Sequence, residues 1–156
     1  MVRGPAGSAT SLLLEREPEL ARIDQLIAAT TAGAGHVVVF EGRPGIGKTA
    51  LLTELRIRAQ AAGMAAYSAR ASELEGEFAF GVVRQLFEPV VRSLSQDESS
   101  RLLAGAAALA APVLGLEGER VTGGPFAALH GLYWLAADLS ARGPLLLAVD
   151  DAHWAD

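Results

Sequence analysis

Residues 42–49 read Gly-Arg-Pro-Gly-Ile-Gly-Lys-Thr and constrain the fold of this chain more than any other segment. They match the pattern G-x-x-x-x-G-K-[ST], in which a glycine-rich turn leads from a strand into a helix. Glycine adopts backbone angles that other residues avoid, and it lets amide N–H groups approach an anion closely. The amino terminus of the following helix also attracts negative charge. The segment therefore predicts a phosphate-binding loop, the Walker A loop.

The residue types in this loop predict how it would hold Mg-ATP. Lys48, the single lysine of the chain, is expected to place its charge on the β- and γ-phosphates and is a catalytic candidate. The hydroxyl of Thr49 is a candidate Mg²⁺ ligand. The glycines are not spaced as G-x-G-x-x-G, which disfavours a dinucleotide-binding fold. The expected nucleotide-binding residues are Gly42, Arg43, Pro44, Gly45, Ile46, Gly47, Lys48, Thr49 and Ala50.

A second acidic motif follows a short apolar run near the end of the sequence. Residues 145–149, Leu-Leu-Leu-Ala-Val, predict a buried strand that ends at Asp150 and Asp151. A carboxylate at such a strand end holds Mg²⁺ in P-loop NTPases, and we assign this role to Asp150. Asp151 is the candidate general base that would orient or deprotonate the attacking water. Aspartate is also an ordinary turn residue after a strand, so this interpretation depends on the phosphate loop.

The rest of the chain alternates apolar strands with amphipathic helices, which favours an α/β fold with a parallel sheet. Strands are predicted at 36–40, where His-Val-Val-Val-Phe favours burial on both faces, and at 64–69 and 145–149. A capping box at Ser95 predicts a helix that Pro112 limits, and Phe126, Leu129, Tyr133 and Ala136 share one side of the last helix. Helices are predicted from Glu17, over 48–62, over 80–94 with a kink or break at Pro89, from Ser95 and from Pro125.

Composition excludes several classes of function. Of the 156 residues, 51% are apolar and 20% are charged, as in a globular domain. Cysteine is absent, so neither disulfides nor thiolate chemistry are available. With a net charge of −5, the chain lacks the excess of basic residues that is typical of a nucleic-acid-binding protein. Since no apolar run is long enough for a signal peptide or a membrane span, we expect a soluble, cytoplasmic protein.

Four stretches together resemble a known family, the large ATP-binding LuxR-type transcriptional regulators, which are the MalT-like group of STAND ATPases. The resemblance is to the amino-terminal part of their nucleotide-binding domain. The first stretch is similar to a GRE-x-EL box that lies near the adenine, with Glu15 in the place of its glycine. The stretches are LEREPEL at 14–20, VVVFEGRPGIGKTALL at 37–52, FAFGVVRQLFEP at 78–89 and LLLAVDDAHWAD at 145–156.

The resemblance implies a P-loop NTPase with a parallel sheet of the additional-strand type, in the strand order 5-1-4-3-2, and flanking helices. Residues 36–41, 64–69 and 145–149 would be its first three strands. Residues 1–13 would be a flexible leader, and 14–156 the truncated amino-terminal portion of the ATPase domain, incomplete just after the Walker B strand.

The function implied by the resemblance is a slowly hydrolysing switch in transcription that uses ATP and Mg²⁺. DNA binding would come only from an absent carboxy-terminal helix-turn-helix, and self-association is left open.

Two other interpretations remain. The first is a P-loop kinase that phosphorylates a small molecule, in which Arg70 and Arg84 would supply positive charge, although no lid pattern is visible. The second is a truncated product without a function of its own. Phosphate release without an acceptor favours the switch, whereas acceptor-dependent formation of ADP favours the kinase.

Overall fold

The structure is a computed structural model that describes residues 15–73, 79–116 and 124–155. The leader predicted at 1–13 and most of the glycine-rich loop before Pro125 lie outside these residues. The chain divides into two compact units, Met1–Ala62 and Gly63–Asp156. None of the helices formed by the described residues has the length and apolar character that a membrane-spanning helix requires.

The described part of the first unit contains two helices. α1 spans Glu17–Thr31 and carries a proline in its first turn, as predicted, because proline suits the first helical positions. α2 spans Lys48–Ala61 and begins directly after the glycine-rich loop. The two helices pack against each other. Their buried residues recur at helical spacing and are Ile23, Ile27, Leu51, Leu55 and Ala59.

The strand predicted at 36–40, and extended to 41 by the resemblance, does not form. Residues 34–43 have no regular secondary structure, and Val37 and Val39 are 96% and 76% exposed rather than buried. β-branched residues favour a strand only where a neighbouring strand supplies hydrogen bonds and a surface to pack on. No strand among the described residues pairs with this segment, so its apolar composition alone does not determine its structure.

The second unit contains a two-stranded parallel sheet. β1 spans Ala65–Arg70 and β2 spans Leu145–Asp150, which confirms both predicted strands. Their register pairs Arg70 with Asp150, so the carboxyl ends of the two strands lie side by side. This pairing agrees with the adjacent second and third strands that the resemblance implies.

One helix packs on this sheet, and further helices complete the core of the second unit. α3 spans Gly81–Ser93, contains Pro89 and packs on β1. α4 spans Gln96–Leu102, and α5 spans Pro125–Ala141. The buried core residues are Ala69, Leu86, Phe87, Val90, Val91, Leu102, Ala107, Ala110, Leu114, Leu132, Leu135 and Leu139.

α4 begins as predicted but ends well before Pro112. Ser95 and Glu98 form the predicted capping box, in which each side chain accepts a hydrogen bond from the backbone N–H of the other residue. Gly105 has a φ of 58°, a left-handed conformation that an α-helix does not contain. A 3₁₀ helix, Gly105–Ala110, therefore follows in place of a continued α-helix.

The side of α5 that contains Phe126, Leu129 and Tyr133 is not its buried side. These three side chains are exposed, Phe126 to 83% and Tyr133 to 67%. The position of α5 against the 3₁₀ helix decides which side is buried, and helical spacing alone does not fix this. The buried residues of α5 are Ala128, Gly131, Leu132, Leu135 and Leu139.

Candidate functional site

The phosphate loop has the backbone conformation that its glycines predict. Gly45 and Gly47 have φ values of 79° and 95°, which are strained for residues with a side chain. A turn over residues 43–46 contains Gly45, and the N–H of Ile46 donates to the carbonyl of Arg43 across it at 3.3 Å. Gly47 is also the N-cap of α2, so the amide groups at the amino end of that helix lie at the loop.

Lys48 holds its positive charge at this loop. Its Nζ donates to the carbonyl oxygens of Gly42 at 2.9 Å and Arg43 at 3.1 Å. Thr49 follows in the first turn of α2 and is exposed. The loop therefore brings an ammonium group, a hydroxyl and helix-terminal amides into one short segment.

Arg16 also contacts the phosphate loop, which the sequence did not indicate. Its Nη2 donates to the carbonyl of Ile46 at 2.8 Å, and its Nη1 donates to Oε1 of Glu19 at 2.6 Å. The hydrogen bond from Arg16 lowers the pKa of Glu19 below its usual range. The two partners of Arg16 lie 3 and 30 residues away, and no local periodicity predicts a contact over 30 residues. The only signal was the resemblance of residues 14–20 to a box near the nucleotide.

The two predicted carboxylates lie together at the end of β2. Asp150 is the last residue of the strand, and its Oδ1 accepts a hydrogen bond from the N–H of Asp151 at 3.0 Å. Asp151 has a φ of 52°, in the left-handed region that aspartate adopts more readily than most residues. Its side chain is 31% exposed, so the carboxylate is reachable from solvent but partly enclosed.

Arg70 pairs with Asp151 across the ends of the two strands. Its Nε and Nη2 donate to Oδ2 of Asp151 at 3.1 and 3.0 Å. Gln85 of α3 holds the backbone of Arg70 on both sides, accepting from its N–H at 3.0 Å and donating to its carbonyl at 3.1 Å. Since parallel strands place their carboxyl ends at one edge, the pairing of 64–69 with 145–149 was the signal that could have predicted this ion pair.

The structure thus gathers residues 42–50 in the first unit, and Asp150 and Asp151 in the second. A cavity of about 210 Å³ in the second unit lies elsewhere, at the amino ends of the strands beside Ala65 and Leu145. None of the predicted site residues lines it. The predicted site residues therefore lie away from this cavity.

Comparison with known proteins decides the family. Residues 12–156 match the family model of the AAA ATPase domain. The chain belongs to this family. Membership of the AAA ATPase domain family agrees with the phosphate loop and implies ATP as the nucleotide.

A relative of this AAA ATPase domain is the uncharacterized protein R02095 of Rhizobium meliloti (strain 1021). It is 31% identical over 170 residues, which cover 92% of this chain and 16% of the relative. The chain thus spans about one sixth of the length of the relative that it matches. No solved structure matches the chain.

The donor groups of this AAA ATPase domain fit Mg-ATP. A Cβ placed on Gly45 or Gly47 would meet no atom within 4 Å, so the space beside the loop is open. Thr49 in the first unit and Asp150 in the second each carry a hard oxygen donor of the kind that Mg²⁺ prefers. Across residues 15–73, 79–116 and 124–155, no three His, Asp or Glu side chains gather as a metal site.

Proposed function

We propose that this domain binds Mg-ATP at residues 42–50 and hydrolyses it slowly, as the nucleotide-dependent switch of a LuxR-type transcriptional regulator. The observation that carries the proposal is the phosphate loop, in which two left-handed glycines lead into α2 and Lys48 lies on the loop carbonyls. The regulator context is supported by the four stretches at 14–20, 37–52, 78–89 and 145–156.

In this proposal different residues of the loop contact different parts of the triphosphate. The backbone amides at the start of α2 hold phosphate oxygens, and Lys48 exchanges its two carbonyl partners for the β- and γ-phosphates. The Thr49 hydroxyl and the Asp150 carboxylate would hold Mg²⁺, which when bound neutralises charge that develops on the phosphates.

Asp151 is the residue proposed to accept a proton from the attacking water. Arg70 occupies its Oδ2 with two hydrogen bonds, so we assign the water to Oδ1. The water oxygen then bonds to the γ-phosphorus, the bond to the β,γ-bridging oxygen breaks, and the proton passes to Asp151. Arg70 keeps the carboxylate in place during this transfer.

Calorimetric titration with Mg-ATP tests the loop. Lys48→Ala should weaken binding roughly 10- to 150-fold, since a charge-assisted hydrogen bond contributes about 1.5–3 kcal/mol. Arg22→Ala is the control, because Arg22 lies on the same unit and donates to Gln25, not to the loop. Affinity that is unchanged by Lys48→Ala would refute the assignment.

Titrations with and without Mg²⁺ test the metal ligands separately. Thr49→Ala and Asp150→Asn should weaken ATP binding in the presence of Mg²⁺ and leave it unchanged in EDTA, since both groups act through the ion. An equal loss under both conditions would show that these residues contact the nucleotide or hold the fold.

The kinase interpretation depends on arginines that the structure places in ion pairs. Arg70 pairs with Asp151, and Arg84 pairs with Glu88 one turn along α3 at 3.2 Å. Neither is therefore a ready source of charge for an acceptor. Analysis of the products discriminates the two functions, because a switch releases phosphate without an acceptor and a kinase forms ADP only when one is present.

A further inference from the structure

Arg16 links the start of α1 to the phosphate loop through both ends of its guanidinium group. One nitrogen donates to the carbonyl of Ile46 at 2.8 Å and the other to Glu19 at 2.6 Å. The side chain is 26% exposed. Because the guanidinium is planar and rigid, two partners in different directions hold it in one orientation.

The contact with Ile46 also determines the direction of the next amide. The carbonyl of Ile46 and the N–H of Gly47 belong to one planar trans peptide unit, in which they point to opposite sides. A carbonyl that is held by Arg16 therefore turns the N–H of Gly47 away from Arg16. Gly47 is the N-cap of α2, so this amide belongs to the part of the loop where phosphate is expected.

We propose that Arg16 is a positioning residue of the phosphate loop, which fixes the peptide between Ile46 and Gly47 so that its N–H faces the incoming phosphate. This inference rests on the nucleotide binding proposed above. An amide that is already oriented does not need to reorganise when an anion binds, and the affinity for the anion rises accordingly. Glu19 assists by holding the other end of the guanidinium.

The backbone just before Arg16 has an unusual conformation. Glu15 has a φ of 60°, in the left-handed region that is unfavourable for a glutamate. Arg16 itself is the N-cap residue of α1, so the side chain that contacts Ile46 extends from the start of that helix.

The test measures binding of two ligands, Mg-ATP and inorganic tripolyphosphate with Mg²⁺, by calorimetry. Arg16→Ala should weaken both by up to about tenfold, because the Gly47 amide is retained but is no longer oriented before the anion binds. Glu19→Gln keeps a hydrogen-bond acceptor and should weaken both by a smaller factor. Arg22→Ala, also on α1, should change neither. Circular dichroism of each variant checks that α1 and α2 remain folded.

Tripolyphosphate separates this role from a contact with the adenine base. If Arg16 acts on the loop, Arg16→Ala weakens tripolyphosphate and ATP by the same factor. If Arg16→Ala weakens ATP alone, the residue contacts the base or ribose and the positioning role is wrong. Arg16→Lys retains the charge without the fork of donors and should restore only part of the affinity.

A second readout follows the amide itself. In ¹⁵N spectra, the Gly47 N–H should shift on addition of tripolyphosphate to the wild type, and the shift should shrink in Arg16→Ala. Wild-type protein that binds neither ligand would refute the proposed function, and the positioning role with it. Wild-type binding that Arg16→Ala leaves unchanged would refute the positioning role alone.

Discussion

Gly131 lies where α5 and the 3₁₀ helix Gly105–Ala110 approach most closely, and replacing it with alanine should destabilise the second unit. A Cβ at this position would lie 2.4 Å from the backbone nitrogen of Ala110 and 2.7 Å from the carbonyl carbon of Leu109. Ordinary contacts begin at 3.4 Å, so the two elements must separate by about 1 Å. These two atoms belong to the backbone and the third close atom, at 2.8 Å, is the Cβ of Leu109, so no rotation of a side chain relieves the contact.

The size of this effect follows from two opposing contributions. Overpacking a core costs roughly 1–3 kcal/mol and occasionally more. Alanine in a helix interior recovers about 1 kcal/mol relative to glycine. Because the neighbouring Ala110 and Leu135 are fully buried and cannot move into open space, we expect the cost to lie at or above the upper end of its range. The net free energy of unfolding should then fall by about 2 kcal/mol.

Urea denaturation followed by tryptophan fluorescence measures this loss. Both tryptophans, Trp134 and Trp154, lie in Gly63–Asp156, so the signal reports on the second unit. With a slope of about 1–3 kcal/mol per molar urea, the midpoint should fall by roughly 1 M. Asp138→Ala, at an exposed position of the same helix, should leave the midpoint nearly unchanged. A Gly131→Ala midpoint equal to or above that of the wild type would refute the steric reasoning.

Three further outcomes are expected. Asp151→Asn should lower ATP turnover more than ATP affinity, because a general base acts mainly in the transition state; equal losses in single-turnover and binding measurements would make Asp151 a binding residue. Ser95→Ala should cost about 1 kcal/mol in urea denaturation through loss of the helix cap. The hydrogen bonds from Ser95 lower the pKa of Glu98. The stabilisation that they give should therefore be complete above the ordinary pKa of 4.5 and should disappear as the pH falls through the lowered pKa. Urea denaturation of the wild type and Ser95→Ala at a series of pH values tests this, and a difference that does not change with pH would contradict it. Glu15→Gly should raise the thermal stability of α1, measured by circular dichroism, by up to about 1 kcal/mol as left-handed strain is relieved; a lower melting temperature would contradict this.

Besides the two strands of the sheet, the elements that the sequence predicted correctly have local determinants. Pro18 and Pro125 occupy the first turns of α1 and α5, and Ser95 with Glu98 caps α4, since each signal acts within one helical turn. The turn of the phosphate loop is local in the same sense, because Ile46 and Lys48 both donate to Arg43. These contacts need no information about distant parts of the chain.

The errors arise where structure depends on distant partners. The run at 36–40 has the composition of a buried strand, but a strand requires a neighbour that composition does not identify. The helix from Ser95 was predicted to extend towards Pro112, but α4 ends earlier because Gly105 adopts a left-handed conformation. The alanine-rich sequence around Gly105 favours a helix and does not indicate this end. The sequence did not indicate which side of α5 is buried, because that side is set by the packing of Gly131 on a backbone segment about 20 residues earlier in the chain.

The two parts of the candidate site, the phosphate loop and the carboxylates at the end of β2, also differ in whether local or distant contacts determine them. The phosphate loop forms although residues 34–43 make no strand, since its left-handed glycines, the start of α2 and the Lys48 contacts all lie within a few residues. The carboxylate end depends instead on the register of β1 and β2, which brings Arg70 to Asp151 across 81 positions of sequence. A register shift by one residue would move Arg70 to the other face of the sheet and break this ion pair. Substitutions that loosen the packing of α3 on β1 should therefore affect Asp151 and turnover, while binding of phosphate at the loop persists.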